Sequence, residues 1–123
     1  MLKGALYDVV EIKEQRSQSF TIKIRLLSDY PIFKGHFPNN PILPGACLVE
    51  IVKELLQNIL NKEILLKTAA NIKFLAVVNP EKNPDIHINL EVEEKGNQIH
   101  VKSNATFPDG TTNFKFKGTF VQS

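Results

Sequence analysis

Residues 45–61, GACLVEIVKELLQNILN, set apolar side chains at helical spacing and constrain the chain more than any other segment. Ala46, Cys47, Leu48, Val49, Ile51, Val52, Leu55, Leu56, Ile59 and Leu60 cover a wide arc. A sheet laid flat against one side would leave part of that arc in water, whereas a sheet wrapped around the helix would not. Of the polar residues, Glu50 shares a face with Lys53, Glu54, Gln57 and Asn61, a row that reads first as a solvated stripe. Pro44 stands where it can start the helix.

The segments around this helix read as strands. SFTIKIRLL alternates at Phe20, Ile22, Ile24 and Leu26, and IHINLEVEE at Ile86, Ile88, Leu90 and Val92. LLKTAANIKFLAVV also reads as a strand, although its alanine pair is a poor strand former. The turn signals NPEKNPD, KGN and PDGTT separate the last strands, so IHINLEVEE, QIHVKSNATF and NFKFKGTFVQ form a meander. One strand, a loop, one long helix and four further strands give an α+β order in a single domain, residues 1–123. A hotdog fold, an antiparallel sheet wrapped around one long central helix, is one candidate architecture among several.

Composition excludes several classes. The net charge is only +2, from 15 Lys+Arg against 13 Asp+Glu, and no polybasic run points to nucleic acid. Residues 42–60 hold Glu50, Lys53 and Glu54, so the most apolar stretch does not read as a membrane span. The first residues turn polar before a signal core could form, and the expected location is cytoplasmic. The single Cys47 permits no internal disulfide and suits a small buried side chain. No metal-ligand spacing is present, and His87 and His100 fall in strand segments as ordinary residues.

The loop before the helix, FKGHFPNNPILPG, places His36 in a stiff setting. Pro31, Pro38, Pro41 and Pro44 fix the backbone at four places. The Pro44–Gly45 step stands at the helix N-terminus, where free N–H groups and the macrodipole favour developing negative charge. A histidine beside such donors meets the needs of proton abstraction next to a carbonyl: a base near neutral pH and support for an enolate oxygen. Taken alone, His36 reads first as a structural hydrogen-bonding group, and Glu50 as part of the solvated stripe. Spacing leaves these readings open.

GHFPNNPILPGACLVE resembles the signature of the bacterial beta-hydroxyacyl carrier-protein dehydratases, G-H-F-P-x-x-P-(apolar)2-P-G-x4-E. Gly35, His36, Phe37, Pro38, Pro41, Pro44, Gly45 and Glu50 match at the family's spacing. The resemblance implies a hotdog homodimer with two active sites at the subunit interface, with further association left open. It implies that His36 of one chain faces Glu50 of the other as the catalytic pair, and that the Gly45 N–H holds the thioester carbonyl. Phe37, Pro44 and Ala46 would lie with Gly45 against the substrate. The implied reaction eliminates water from a 3-hydroxyacyl thioester borne by acyl carrier protein, giving the trans-2-enoyl product, in fatty-acid or related lipid or polyene synthesis. It requires no cofactor. The departures are Lys53 and Glu54; Glu54 takes the place of the family's glutamine and sets a second carboxylate one turn from Glu50. The alternatives are a hotdog acyl thioesterase, or a non-catalytic acyl-binding subunit of a dehydratase complex.

Overall fold

The wide apolar arc of the helix is met by a sheet that curls around it. The computed structural model describes residues 2–31, 33 and 41–123. Its elements are β1 (Tyr7–Arg16), β2 (Ser19–Leu26), α1 (Gly45–Leu60), β3 (Ile64–Phe74), β4 (Asp85–Lys95), β5 (Gln98–Thr106) and β6 (Thr112–Gln122). The six strands form one antiparallel sheet in the order β1-β2-β4-β5-β6-β3. Leu48, Ile51, Val52, Leu55 and Leu56 of α1 are buried with the inward residues of the sheet, among them Ile22, Ile24, Ile88, Leu90, Phe114 and Phe120. Two-residue alternation puts these apolar side chains on one face and leaves the other to water.

Local chemistry ends each element. Pro44 is extended at the helix entry, with φ −60° and ψ 139°, as its ring demands. At the far end Asn61 takes the left-handed conformation, φ 55° and ψ 47°, and donates its backbone N–H to the Gln57 carbonyl. Gly96 and Gly110 supply the positive φ angles of the β4–β5 and β5–β6 turns that the sequence marks. No helix among the described residues is long and apolar enough to cross a membrane.

Two sequence expectations need correction. The segment YDVVEIKEQR, absent from the strand reading, forms β1 at one sheet edge. Only Tyr7 of its residues is fully enclosed, so it lacks the apolar alternation that betrays the other strands. Strand β3 stops at Phe74, short of the apolar LAVV that follows. Its alanine pair lies where the pairing with β6 slips, between Ala69 and Asn71. Beyond Ile64 every residue of β3 is exposed, and the strand forms the other edge of the sheet.

Candidate functional site

The helix N-terminus is built for close approach. Among the described residues no side chain caps it, and its first turn holds no acidic residue. The Leu43 N–H donates to the Val78 carbonyl at 2.8 Å, which seats the helix entry on the segment after β3. Phe74 lies directly over Gly45: a Cβ there would stand 2.5 Å from the Phe74 ring. That ring stacks on Phe114 with centroids 5.6 Å apart, and Phe114 stacks on Phe116 at 6.3 Å. Glycine therefore permits β3 to close over the first turn, and the inner face of β6 holds the ring in place. Ala46 is exposed beside it and Pro44 is half-buried.

Glu50 follows just over one turn later and is half-buried. Among the described residues its carboxylate has no hydrogen bond or ion pair. Its charge reaches two neighbours. Burial pushes the Cys47 thiol up, and the Glu50 charge adds to the effect. The Tyr7 hydroxyl is raised well above its usual range, first by burial, then by the charge and hydrogen bond of Glu54, and last by Glu50. Glu50 thus lies within electrostatic reach of Cys47 on its own helix and of Tyr7 at the start of β1.

Glu54 corrects the solvated-stripe reading. It is 5 % exposed, and its carboxylate accepts three hydrogen bonds. Oε2 takes the Leu2 N–H at 2.8 Å, while Oε1 takes the Lys3 N–H and the Tyr7 hydroxyl, each at 3.0 Å. The N-terminal turn therefore lies over the helix and turns Glu54 away from water. Gln57, also assigned to the stripe, accepts the Ile64 N–H at 3.1 Å through its Oε1 and ties the helix end to β3. Tyr7 and the N-terminal turn are functional neighbours that sequence reading misses, because no pattern in residues 2–16 marks them as buried.

The structure brings Pro44, Gly45, Ala46 and Glu50 together on the first turns of α1. His36 and Phe37, with Gly35 and Pro38, lie outside the described residues. His87 and His100 sit in β4 and β5 as expected, and His100 Nδ1 is 3.1 Å from Thr119 Oγ1. Among the described residues no three His, Cys, Asp or Glu side chains gather as metal ligands.

A long helix enclosed by a six-stranded antiparallel sheet of this order is the hotdog fold. The dehydratase heterocomplex ApeI:P from Xenorhabdus doucetiae superposes with a TM-score of 0.74, covering 93% of this chain and 96% of that one at 18% identity. A thioesterase-like protein from Streptococcus pneumoniae TIGR4, solved with coenzyme A, gives 0.69 over 95% and 85% at 12% identity. These likenesses establish the fold. The profile of the ApeI-like family, described as ApeI dehydratase, matches residues 12–116, and the chain belongs to that family. Curated relatives include the 3-hydroxyacyl-[acyl-carrier-protein] dehydratase FabZ of Rickettsia rickettsii, 33% identical over 84 residues, which span 62% of this chain and 57% of that protein. The FabZ of Rickettsia bellii is 33% identical over 91 residues, 68% of this chain and 61% of that protein. The chain thus spans less than two thirds of the curated relatives it matches.

Proposed function

We propose that this protein eliminates water from 3-hydroxyacyl thioesters carried by acyl carrier protein, leaving trans-2-enoyl thioesters. His36 takes the C2 proton, the C2–C3 π bond forms, and the C3–O bond breaks as Glu50 protonates the departing hydroxyl. The thioester oxygen gains negative charge as C2 is deprotonated, and the Gly45 N–H at the uncapped helix start stabilises it. Phe37, Pro44 and Ala46 line the approach. The observation that carries this reading is Glu50: a half-buried carboxylate without a partner among the described residues, just beyond that helix start. Family membership supplies the reaction class.

The shared site needs a second copy, and β3 is the edge suited to it. An unpaired strand edge is a template for pairing. On β3 and just after it Leu65, Leu66, Ile72, Phe74, Leu75 and Val77 are all exposed large apolar residues. Pairing two copies along this edge would cover them and bring the partner's loop towards Glu50. The chain would work as a soluble homodimer, in keeping with a cytoplasmic setting.

Incubation with a 3-hydroxyacyl carrier-protein thioester tests the reading, with enoyl absorbance and free thiol followed together. Enoyl product without thiol supports it, whereas thiol release alone would assign the chain to thioester hydrolysis. His36→Ala and Glu50→Gln should each lower turnover by at least about a hundredfold while the dimer persists. Wild-type turnover in Glu50→Gln would remove that residue from the mechanism. The structural neighbour being a heterocomplex, sedimentation of the chain alone decides whether β3 pairs with its own copy.

A further inference from the structure

Phe74 is held in place more firmly than its burial warrants. Its ring is 55 % exposed, so folding removes little of its apolar surface from water. Its contacts nevertheless fix it. A Cβ on Gly45 would stand 2.5 Å from its Cε1, 2.6 Å from its Cζ and 2.8 Å from its Cδ1, so the ring fills the space a side chain would take there. Behind it Phe114, Phe116 and Phe120 continue a row of rings into the core, with successive centroids 5.6, 6.3 and 6.0 Å apart. The backbone just after it is tied to β6. The Leu75 and Ala76 N–H groups both donate to the Asn113 carbonyl, at 2.9 and 3.4 Å.

What the ring adjoins is a pair of open donors. Pro44 has no N–H, and the Cys47 N–H is taken by the Pro44 carbonyl at 3.0 Å. Gly45 and Ala46 keep theirs, and among the described residues neither has an acceptor. In open water such donors are met by solvent, whose high dielectric weakens every charge interaction at the helix start. A ring lying on Gly45 shuts water out on that side and offers no oxygen or nitrogen acceptor of its own. The donors stay free for an oxygen that arrives with the substrate.

We propose that Phe74 is a positioning residue for the thioester: it dries the space beside the Gly45 N–H and holds the substrate carbonyl against that donor. The inference rests on the function proposed above, in which this N–H meets the oxygen that turns negative as C2 loses its proton. Preorganised donors act most strongly where water is excluded, and they weaken when the wall beside them is removed. Pairing along β3 would close the free side of the ring into the shared site. Gly45 then serves its neighbour as well as the substrate, because the missing Cβ is the seat of the ring.

The test compares wild type with Phe74→Leu, Gly45→Ala and the double variant, each checked for folding by urea unfolding. The probe is 3-hydroxybutyryl-pantetheine, isotope-labelled at the thioester carbonyl. Infrared difference spectra read the bound carbonyl, and enoyl absorbance reads turnover. The wild type should move the carbonyl stretch to lower frequency, and Phe74→Leu should lose most of that shift. Its kcat and kcat/KM should fall together, by at least about tenfold. Gly45→Ala keeps the N–H but drives the ring from its seat, so it should reproduce both effects, and it carries the comparison alone should Phe74→Leu fail to fold. Added to Phe74→Leu it should cost less than about threefold more, because both changes remove one contact. A ring with only a structural role would alter the unfolding midpoint and leave the carbonyl frequency as in wild type. Retention of the shift by both single variants, absence of a shift in the wild type, or independent effects of the two changes would each overturn the proposal. A wild type that forms no enoyl product yet shows the ring-dependent shift would overturn the elimination and uphold the hold of Phe74 on the carbonyl.

Discussion

Replacing Glu54 by alanine strips three donors of one acceptor group. The Tyr7 hydroxyl is fully enclosed and would keep its burial without a partner, at a cost of about 1–3 kcal/mol. The Leu2 and Lys3 N–H groups are only partly buried and can turn to water, so each loses about 0.5–1.5 kcal/mol, the net value of an ordinary hydrogen bond. The total comes to about 4 kcal/mol, a large part of the stability of a domain this size. Tyr7→Phe alone should cost about 1.5–3 kcal/mol, as for a bond to a charged acceptor. In the Glu54→Ala background the same change should cost almost nothing, because the hydroxyl then has no partner to lose. Urea unfolding of all four proteins at one fixed concentration closes the cycle, and the two changes should couple by about 1.5 kcal/mol or more. Burial and Glu54 hold the Tyr7 proton, so its raised pKa contributes stability that is complete below the unfolded value of 10.0 and is lost as pH rises above it. The wild type should therefore lose stability above pH 10 more steeply than Tyr7→Phe. If Glu54→Ala unfolds within about 0.5 kcal/mol of wild type, or Tyr7→Phe costs the same in both backgrounds, the carboxylate does not hold the N-terminal turn.

Ser103 Oγ is buried on the inner face of β5 with no hydrogen-bond partner among the described residues, so Ser103→Ala should raise stability, by about 1 kcal/mol in denaturant melts. Gly118 admits no side chain, because a Cβ there would stand 2.8 Å from the Thr68 carbonyl and 2.6 Å from the Phe116 ring. Gly118→Ala should therefore destabilise by about 2 kcal/mol or more through separation of β6 from β3. The Cys47 thiol, raised by burial and by Glu50, should react with iodoacetamide at pH 8 more slowly than free cysteine. Glu50→Gln should speed that reaction, and an unchanged rate would show that the carboxylate does not face the thiol.

The parts of this fold visible in its sequence are those with one wet and one dry side. Strands β2, β4, β5 and β6 alternate because each buries one face against α1, and the turns between the last three require glycine at Gly96 and Gly110. Both edge strands were harder to read, for opposite reasons. Strand β1 is charged and exposed along nearly its whole length, so it carries no period. Strand β3 is apolar yet exposed, so its pattern answers to an edge that this chain alone does not cover. Glu50 is marked as a candidate by the anchors around it. The burial of Glu54 was not, because it depends on Leu2 and Lys3 backbone groups about 50 residues away in sequence, and backbone groups leave no mark in side-chain periodicity.

The polar face of α1 shows how one helix can carry both structural and reactive side chains. Its members are covered in turn by different parts of the chain. Gln57 is taken by the first residue of β3, and Glu54 by the N-terminal turn and Tyr7. One turn earlier Glu50 is half-buried, and among the described residues no hydrogen bond or ion pair meets its carboxylate. A polar group left half-buried and unmet on such a face loses hydration without recovering a hydrogen bond, so the fold gains nothing from it. Its neighbours show that this chain can satisfy a side chain at that depth, since Glu54 has three donors only four residues away. The function proposed above gives Glu50 its partner: the loop histidine of a second copy, or the hydroxyl of a substrate. The substitution that tests this is Glu50→Leu. A residue with only a structural role should lose stability and keep its activity, whereas an acid in elimination should become inactive with stability unchanged or improved.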